Sequence, residues 1–358
     1  MRILIATDAW HPQVNGVVRT LTSLARSASA LGAEINFLTP DGFPSFGVPT
    51  YPGLRIAWPN RREIAARIEA VSPDAIHIAT EGPIGWAVRA YCRRRKLAFT
   101  TSYTTRFPEY IAVRSIVPEA LSYAVLRHFH AAAAMTMVAT ASLRQELGAR
   151  GFRKLGTWTR GVDTVLFTPN DAAELDLPRP IFMTVGRVAV EKNLEAFLSL
   201  DLPGSKVVIG EGPQRAELQR RYPKARFLGE KTGKDLTSHL AAADVFVFPS
   251  RTDTFGVVQL EALACGTPLA AFPVTGPLDV IADHPVGALD SDLRSACIRA
   301  LGISRETCRS FALERSWENS ARQFIGNLSA LQPSRSLRPA RVVANTSAVQ
   351  GCWNNRGK

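Results

Sequence analysis

Two carboxylates eight residues apart, Asp253 and Glu261, bracket the stretch Arg251-Thr-Asp-Thr-Phe-Gly-Val-Val-Gln-Leu-Glu261. An apolar run, Asp244-Val-Phe-Val-Phe-Pro249, precedes it and predicts a buried strand. The apolar periodicity from Val257 to Cys265, closed by Gly266 and Pro268, predicts a helix. Asp253 then sits in the loop at the strand's carboxyl end, and Glu261 lies a little over one turn into the helix. Free backbone N–H groups of Phe255, Gly256 and Val257 at a helix N-terminus form an anion site. Open α/β sheets bind their ligands at this edge. The same residues also fit an ordinary strand–helix turn capped by Asp253 or Thr254.

Cations occur at a matching position. In Val185-Gly-Arg-Val-Ala-Val-Glu-Lys-Asn193, Gly186 opens a loop that carries Arg187 and Lys192, five residues apart. Two cations at a helix start can clamp a diphosphate leaving group, which is an electrostatic task. They can equally be solvated loop charges. Ile209-Gly-Glu-Gly-Pro213 is a further strand-to-helix turn, in which Gly212 would let a ligand lie close to the backbone, though alone it is a weak signal. Near the start, Trp10-His-Pro-Gln-Val-Asn-Gly-Val-Val-Arg19 follows a strand and opens a helix. Asn15-Gly16 gives a backbone able to approach a phosphate. The pattern is not G-x-G-x-x-G, so a dinucleotide site is not expected, and a simple strand–helix turn stays open.

These loops need sheets to hold them. Short apolar strands at 2–7, 34–38, 54–57, 74–78, 97–102 and 134–139 alternate with helical patterns at 16–31, 60–71, 84–95, 117–132 and 142–149. Turn residues without a sustained period fill 157–169. A second series has strands at 180–186, 205–209, 226–228, 244–248 and 268–271, with helices at 213–222 and 234–242 between them. One amphipathic helix is expected over 304–331, with Phe311, Trp317, Phe324 and Leu328 on its apolar side. The alternation predicts an α/β protein of two doubly wound parallel-sheet domains. The expected divisions are 1–165, 166–332 (its last helices free to pack back on the first domain) and a basic, disordered tail over 333–358.

Composition is that of a globular protein, 46% hydrophobic and 21% charged, and no apolar run reaches the length of a membrane span. The chain opens on a strand rather than a signal peptide, so a cytoplasmic location is expected. Five scattered cysteines without C-x-x-C pairing fit reduced thiols. Residues 1–165 hold 20 basic and 11 acidic side chains, and the last 26 residues hold 5 basic and none acidic. Such a surface suits an anionic membrane leaflet. No nucleic-acid motif accompanies it, so nucleic acid ranks below the membrane as a partner.

The spacing of G-R-V-A-V-E-K-N, G-E-G-P and D-T-F-G-V-V-x-L-E-A-L-A-C-G-T-P resembles glycosyltransferase family 4, over residues 1 to about 330. The opening D-A-W-H-P-Q-V-N-G-V-V-R-T-L and the linker T-R-G-V-D-T-x-x-F-x-P match as well. The nearest branch holds sulfoquinovosyl- and glucuronosyl-diacylglycerol synthases and GDP-mannose-dependent α-mannosyltransferases. The resemblance implies a retaining, nucleotide-sugar-dependent enzyme of GT-B architecture, two Rossmann-like domains facing across a cleft. It implies that Arg187 and Lys192 hold the donor diphosphate, that Glu261 bonds the ribose, and that Asp253 faces the donor sugar. It places the amides of Phe255, Gly256 and Val257 on the sugar or its phosphate, and Gly16 on the diphosphate from the other domain.

Two departures stand out. Asp253 replaces the family's usual Glu. Thr104, in Thr101-Ser-Tyr-Thr-Thr-Arg-Phe-Pro-Glu-Tyr110, replaces a His that relatives carry near the sugar; a hydroxyl hydrogen-bonds but carries no positive charge. Acceptor-side candidates are Glu81, Thr104 and Arg106, with Glu81 equally suited to capping a helix. No metal or cofactor is required, because family retention is explained by front-face attack, in which the departing phosphate takes the acceptor proton. Asp290-Ser-Asp292 resembles a metal-binding D-x-D but fits a helix cap better. The expected reaction moves a sugar from a nucleotide donor, a UDP-sugar first, to diacylglycerol at the inner face of the cytoplasmic membrane. The alternatives are a GDP-mannose-dependent mannosyltransferase acting on an inositol lipid or polysaccharide precursor, and a catalytically silent sugar-nucleotide-binding protein.

Overall fold

The computed structural model describes residues 1–11, 16–47, 55–105, 108, 118–253, 255–281 and 284–330. The strands among the described residues are β1 Arg2–Ala6, β2 Glu34–Leu38, β3 Ser45–Gly47, β4 Arg55–Ala57, β5 Ala75–Ile78, β6 Thr100–Tyr103, β7 Met135–Val138, β8 Leu155–Thr157, β9 Ile181–Val185, β10 Ser205–Ile209, β11 Arg226–Phe227, β12 Val245–Phe248, β13 Leu269–Ala271 and β14 Gly287–Leu289. The helices of the first half are α1 Gly16–Ala30, α2 Arg61–Val71, α3 Pro83–Arg95, α4 Glu119–Ala131 and α5 Ala141–Ala149. Those of the second are α6 Leu194–Leu198, α7 Arg215–Arg221, α8 Gly233–Ala242, α9 Val257–Ala264, α10 Thr275–Ile281, α11 Leu293–Ala300, α12 Arg305–Leu313 and α13 Trp317–Ser329.

Two six-stranded sheets result, ordered β2-β1-β5-β6-β7-β8 and β11-β10-β9-β12-β13-β14. Every pairing within them is parallel. β3 and β4 form a separate antiparallel ribbon. The central strand β12 is buried on both faces, all four residues of Val-Phe-Val-Phe being buried, so it reads as a continuous apolar run. In each sheet the chain first runs outward one way and then jumps back past its first strand. The jump puts a switch point between β1 and β5 in one sheet and between β9 and β12 in the other, and a crevice opens there at the carboxyl ends.

The structure corrects one expected element. The single helix over 304–331 is two helices, α12 and α13. Ser316 breaks them, its hydroxyl accepting from Asn319 N to cap α13. The break lets Val162 N donate to Arg315 O at 2.9 Å, tying the connection between the sheets to this corner. α13 then returns to the first sheet, where Ala321, Phe324 and Leu328 pack with Ile3, Ile5, Leu21 and Leu24. β3, β8, β14 and α10 were not anticipated, because they are short and lack a full period. Cys92, Cys265, Cys297 and Cys308 are free and buried, and burial pushes each thiol up to about 12. Cys352, the tail over 333–358, Arg106 and Thr254 lie outside the described residues.

Candidate active site

Lys192 and Asp253 meet at the switch point of the second sheet. Lys192 ends a 3₁₀ turn, Val190–Lys192, after β9, and Asp253 lies after β12. The Lys192 ammonium donates to both Asp253 oxygens, at 2.7 and 2.8 Å. The two loops are stitched together behind this pair. Ser250 and Thr252 hydroxyls donate to Glu191 O at 3.3 and 3.4 Å, and Asn193 Nδ2 donates to Pro249 O at 3.0 Å. Capping of α9 by Asp253 is thereby overturned: the N-cap is Gly256, without a side-chain cap bond, and the carboxylate turns to Lys192 instead. Gly256 has φ 74°, and a Cβ there would lie 2.7 Å from the Phe248 ring. A side chain is therefore excluded by both backbone and space. Gln259 Nε2 donates to Phe255 O at 2.6 Å and holds this turn, while Val257 begins the helix. The amides of Phe255, Gly256 and Val257 thus lie at the N-terminus of α9.

The glycines divide into two kinds. A Cβ on Gly210 would lie 1.9 Å from Gly186 O, and one on Gly212 would lie 2.3 Å from Val188 O. Gly186 N donates to Ile209 O and Val188 N to Glu211 O, both at 2.9 Å. The G-E-G turn is therefore glycine-rich because the Gly186-Arg187-Val188 backbone lies against it. Gly186 and Gly16 differ, since nothing lies within 4 Å of where their Cβ would be. Both leave open space at the carboxyl edges of their sheets. Arg187 is exposed on the same loop.

Glu261 is buried, and its Oε2 has no hydrogen-bond partner among the described residues. Its Oε1 accepts from Arg19 Nη2 of α1 at 2.5 Å, across the gap between the sheets. Burial pushes the Glu261 carboxyl up, and Arg19 pulls it back down.

The first sheet's switch point holds a second polar group. Asp8, after β1, accepts from Ile84 N at 2.7 Å, Gly85 N at 3.3 Å and Thr80 Oγ1 at 2.9 Å. Burial raises its carboxyl despite those bonds, and Glu81 adds to the rise. Asp8 thus does the work of a cap for α3, whose own N-cap, Gly82, offers no side chain. That overturns capping by Glu81. Its Oε1 instead faces His130 Nε2 at 3.2 Å, and His130 Nδ1 lies 2.9 Å from Thr101 Oγ1, which pairs with Thr136 Oγ1 at 3.0 Å. Glu81 Oε2 is buried without a partner among the described residues. Thr104 follows β6 at the same edge, half-buried.

Two families match in succession: "Glycosyltransferase Family 4" over residues 14–166 and "Glycosyl transferases group 1" over 179–301. The chain belongs to glycosyltransferase family 4. It is an enzyme, a hexosyltransferase with the GT-B fold. The GDP-mannose-dependent alpha-mannosyltransferase of Mycobacterium tuberculosis is 28% identical to this transferase, covering 95% of this chain and 99% of the relative. Sulfoquinovosyl transferase SQD2 of Arabidopsis thaliana is 30% identical over 69% of this chain, which spans about half (52%) of that protein. Among solved structures, sucrose-phosphate synthase of Thermosynechococcus elongatus superposes with a TM-score of 0.72 at 20% identity. It covers 92% of this chain and 98% of its own, and shows the shared fold.

Sequence reasoning did not single out three residues of the transferase's cleft: Arg19, Asp8 and His130. Arg19 carries a signal in retrospect, because a cation in the first turn of a helix opposes the dipole, and local conflicts mark functional sites. Asp290 and Asp292 are not a metal pair: Asp292 caps α11 by accepting from Arg294 N and Ser295 N, and Asp290 pairs with Arg299 at 3.0 Å. Among the described residues no group of three metal-ligating side chains occurs, and no helix is long and apolar enough to cross a membrane.

Proposed function

We propose that this transferase moves mannose from GDP-mannose to the hydroxyl of a lipid-borne acceptor, with retention at the sugar carbon. The observation that carries the reading is the Lys192–Asp253 pair at the switch point, with an unpartnered buried Glu261 oxygen one helical turn beyond. In this reading Arg187 and Lys192 hold the diphosphate and stabilise the charge it gathers as the sugar leaves. The amides of Phe255 to Val257 and the open backbones of Gly16 and Gly186 approach the phosphates or the sugar, and Gly212 supports that loop from behind. Asp253 accepts from a sugar hydroxyl, and Glu261 Oε2 accepts from the ribose. Glu81, oriented by His130, binds the acceptor hydroxyl at the other switch point, with Thr104 beside it. The departing phosphate oxygen takes the acceptor proton, so neither a protein base nor a metal is needed.

Mannose is favoured over the UDP-sugar that the sequence alone placed first, because the mannosyltransferase likeness spans nearly both whole chains. A second reading, a sugar moved onto diacylglycerol, is favoured by the likeness to SQD2. In both, the basic first domain docks on an anionic leaflet. Arg61, Arg62, Arg93, Arg94 and Lys96 are exposed, and Trp58, 70% exposed, stands on the same domain with the amphipathic character of an interfacial anchor.

Purified enzyme is incubated with membranes and radiolabelled GDP-mannose or UDP-sugars, and the organic phase is counted. Label extracted from GDP-mannose supports the first reading. Label from a UDP-sugar alone, on diacylglycerol, replaces it with the second, and label from neither donor sinks both. Cosedimentation with phosphatidylglycerol vesicles but not phosphatidylcholine vesicles tests the docking.

A further inference from the structure

Arg19 belongs to the first domain and Glu261 to the second, yet their side chains touch at 2.5 Å. Arg19 is half-exposed, whereas the Glu261 side chain is only 4% exposed. A buried carboxylate without a cation is strongly disfavoured, and the other cations near α9 are committed elsewhere. Arg309 donates to the carbonyls of Phe167, Ala264 and Thr164, and Arg305 to those of Ala243, Ala241 and Cys265. Among the described residues Arg19 alone pairs with Glu261. The contact uses one oxygen and leaves Oε2 buried and unpartnered.

We propose that Arg19 is a positioning residue for the donor: from the opposite domain it fixes the Glu261 carboxylate by Oε1, so that Oε2 stands ready to accept from the ribose diol. This rests on the reading of Glu261 as the ribose ligand. The nucleoside half of the donor is then fully recognised only while both domains are together. Binding and closure are coupled, and the coupling runs both ways: closure strengthens the nucleoside contact, and the nucleoside favours closure. Arg19 does this without touching the reacting atoms.

The test measures binding of GDP, UDP and inorganic pyrophosphate by calorimetry, alongside donor kinetics, for the wild type and for Arg19→Met, Arg19→Lys, Glu261→Gln and the double variant Arg19→Met/Glu261→Gln. Expected for Arg19→Met is about tenfold weaker nucleoside diphosphate binding and a raised donor KM, with kcat at saturating donor within about threefold and pyrophosphate binding unchanged. Arg19→Lys recovers part of the loss. The double variant binds no worse than Glu261→Gln alone, because the two residues act as one unit. GDP binding within twofold of wild type in Arg19→Met overturns the proposal. Equal weakening of pyrophosphate also does, since Arg19 would then be a phosphate ligand. If the methionine variant does not fold, Arg19→Lys carries the same comparison with and without Glu261→Gln, and additive losses overturn the proposal. A wild type that binds no nucleoside diphosphate fails the donor-site reading itself, an outcome separate from these.

Discussion

Lys192 and Asp253 neutralise each other across the switch point of the second sheet, the ammonium reaching both carboxylate oxygens within 2.8 Å. The cation and the carboxylate that the proposed function assigns to diphosphate and sugar are a single preformed unit, partly shielded from water, with side-chain exposures of 26% and 16%. In the proposed function, an arriving diphosphate would compete with Asp253 for Lys192, and the displaced carboxylate would be freed for a sugar hydroxyl.

Opposite effects follow for the two partners. Lys192→Ala removes a donor aimed at developing charge, and should lower kcat/KM by about 10²–10³-fold while weakening nucleoside diphosphate binding. Asp253→Asn removes the competitor. It should lower turnover as well, but tighten nucleoside diphosphate binding by about fivefold, since Lys192 keeps its charge with less of it neutralised. Calorimetry with GDP separates them, and weaker binding in both variants would show that the pair acts as a structural clasp.

Much of this site was legible in the chain. Asp253 to Glu261, Arg187 and Lys192 were readable because strand–turn–helix units leave a strong local pattern: an apolar run, a glycine, then a new period. The capping of α11 by Asp292 was readable because it is local, but which carboxylate caps α3 was not. Asp8 caps α3 from 76 residues away in sequence, as the Ile84 N bond shows, and no local signature records a partner that distant. Glu81 is released from capping for the same reason and turns to His130. The break at Ser316 was hidden because α12 and α13 share apolar spacing, and only the pull of Arg315 on Val162 reveals why the chain must stop there. Arg19 was visible only as part of a motif, since its partner lies 242 residues on.

Gly16 and Gly210 should separate ligand binding from folding. Gly210 has φ 137°, and its Cβ would sit 1.9 Å from Gly186 O, a backbone atom that cannot swing away. Gly210→Ala should lower stability by about 3 kcal/mol or more, read as a fall in the urea midpoint. Gly16 begins α1 with nothing within 4 Å of a new Cβ, and alanine favours a helix. Gly16→Ala should therefore keep or slightly raise the midpoint and yet weaken donor binding, because the methyl group occupies space facing the cleft. Unchanged donor KM in Gly16→Ala would remove Gly16 from the donor site.

His77 gives a stability prediction independent of catalysis. It is fully buried on β5, with Nδ1 and Nε2 each 2.7 Å from the hydroxyls of Thr100 and Ser102, and its ring meets Trp158 and Phe324 edge-on. Burial, with a smaller push from Arg160, lowers its pKa to about 3. The folded ring is therefore neutral at pH values where the unfolded chain, titrating near 6.5, already binds a proton. Above that unfolded value the group is indifferent to folding. As pH falls from about 6.5 towards 3, the unfolded state gains protons that the folded state refuses, and stability is lost. Between pH 7.5 and pH 5 this amounts to about 2 kcal/mol, at 1.36 kcal/mol for each unit below the unfolded pKa. His77→Gln keeps hydrogen bonding to the two hydroxyls but cannot titrate. The variant starts less stable at pH 7.5, because the ring's packing is lost, but the pH-dependent part of its loss should be smaller by that amount. Urea midpoints for both proteins at the two pH values measure it, and equal losses on acidification would show that His77 is not the group that titrates.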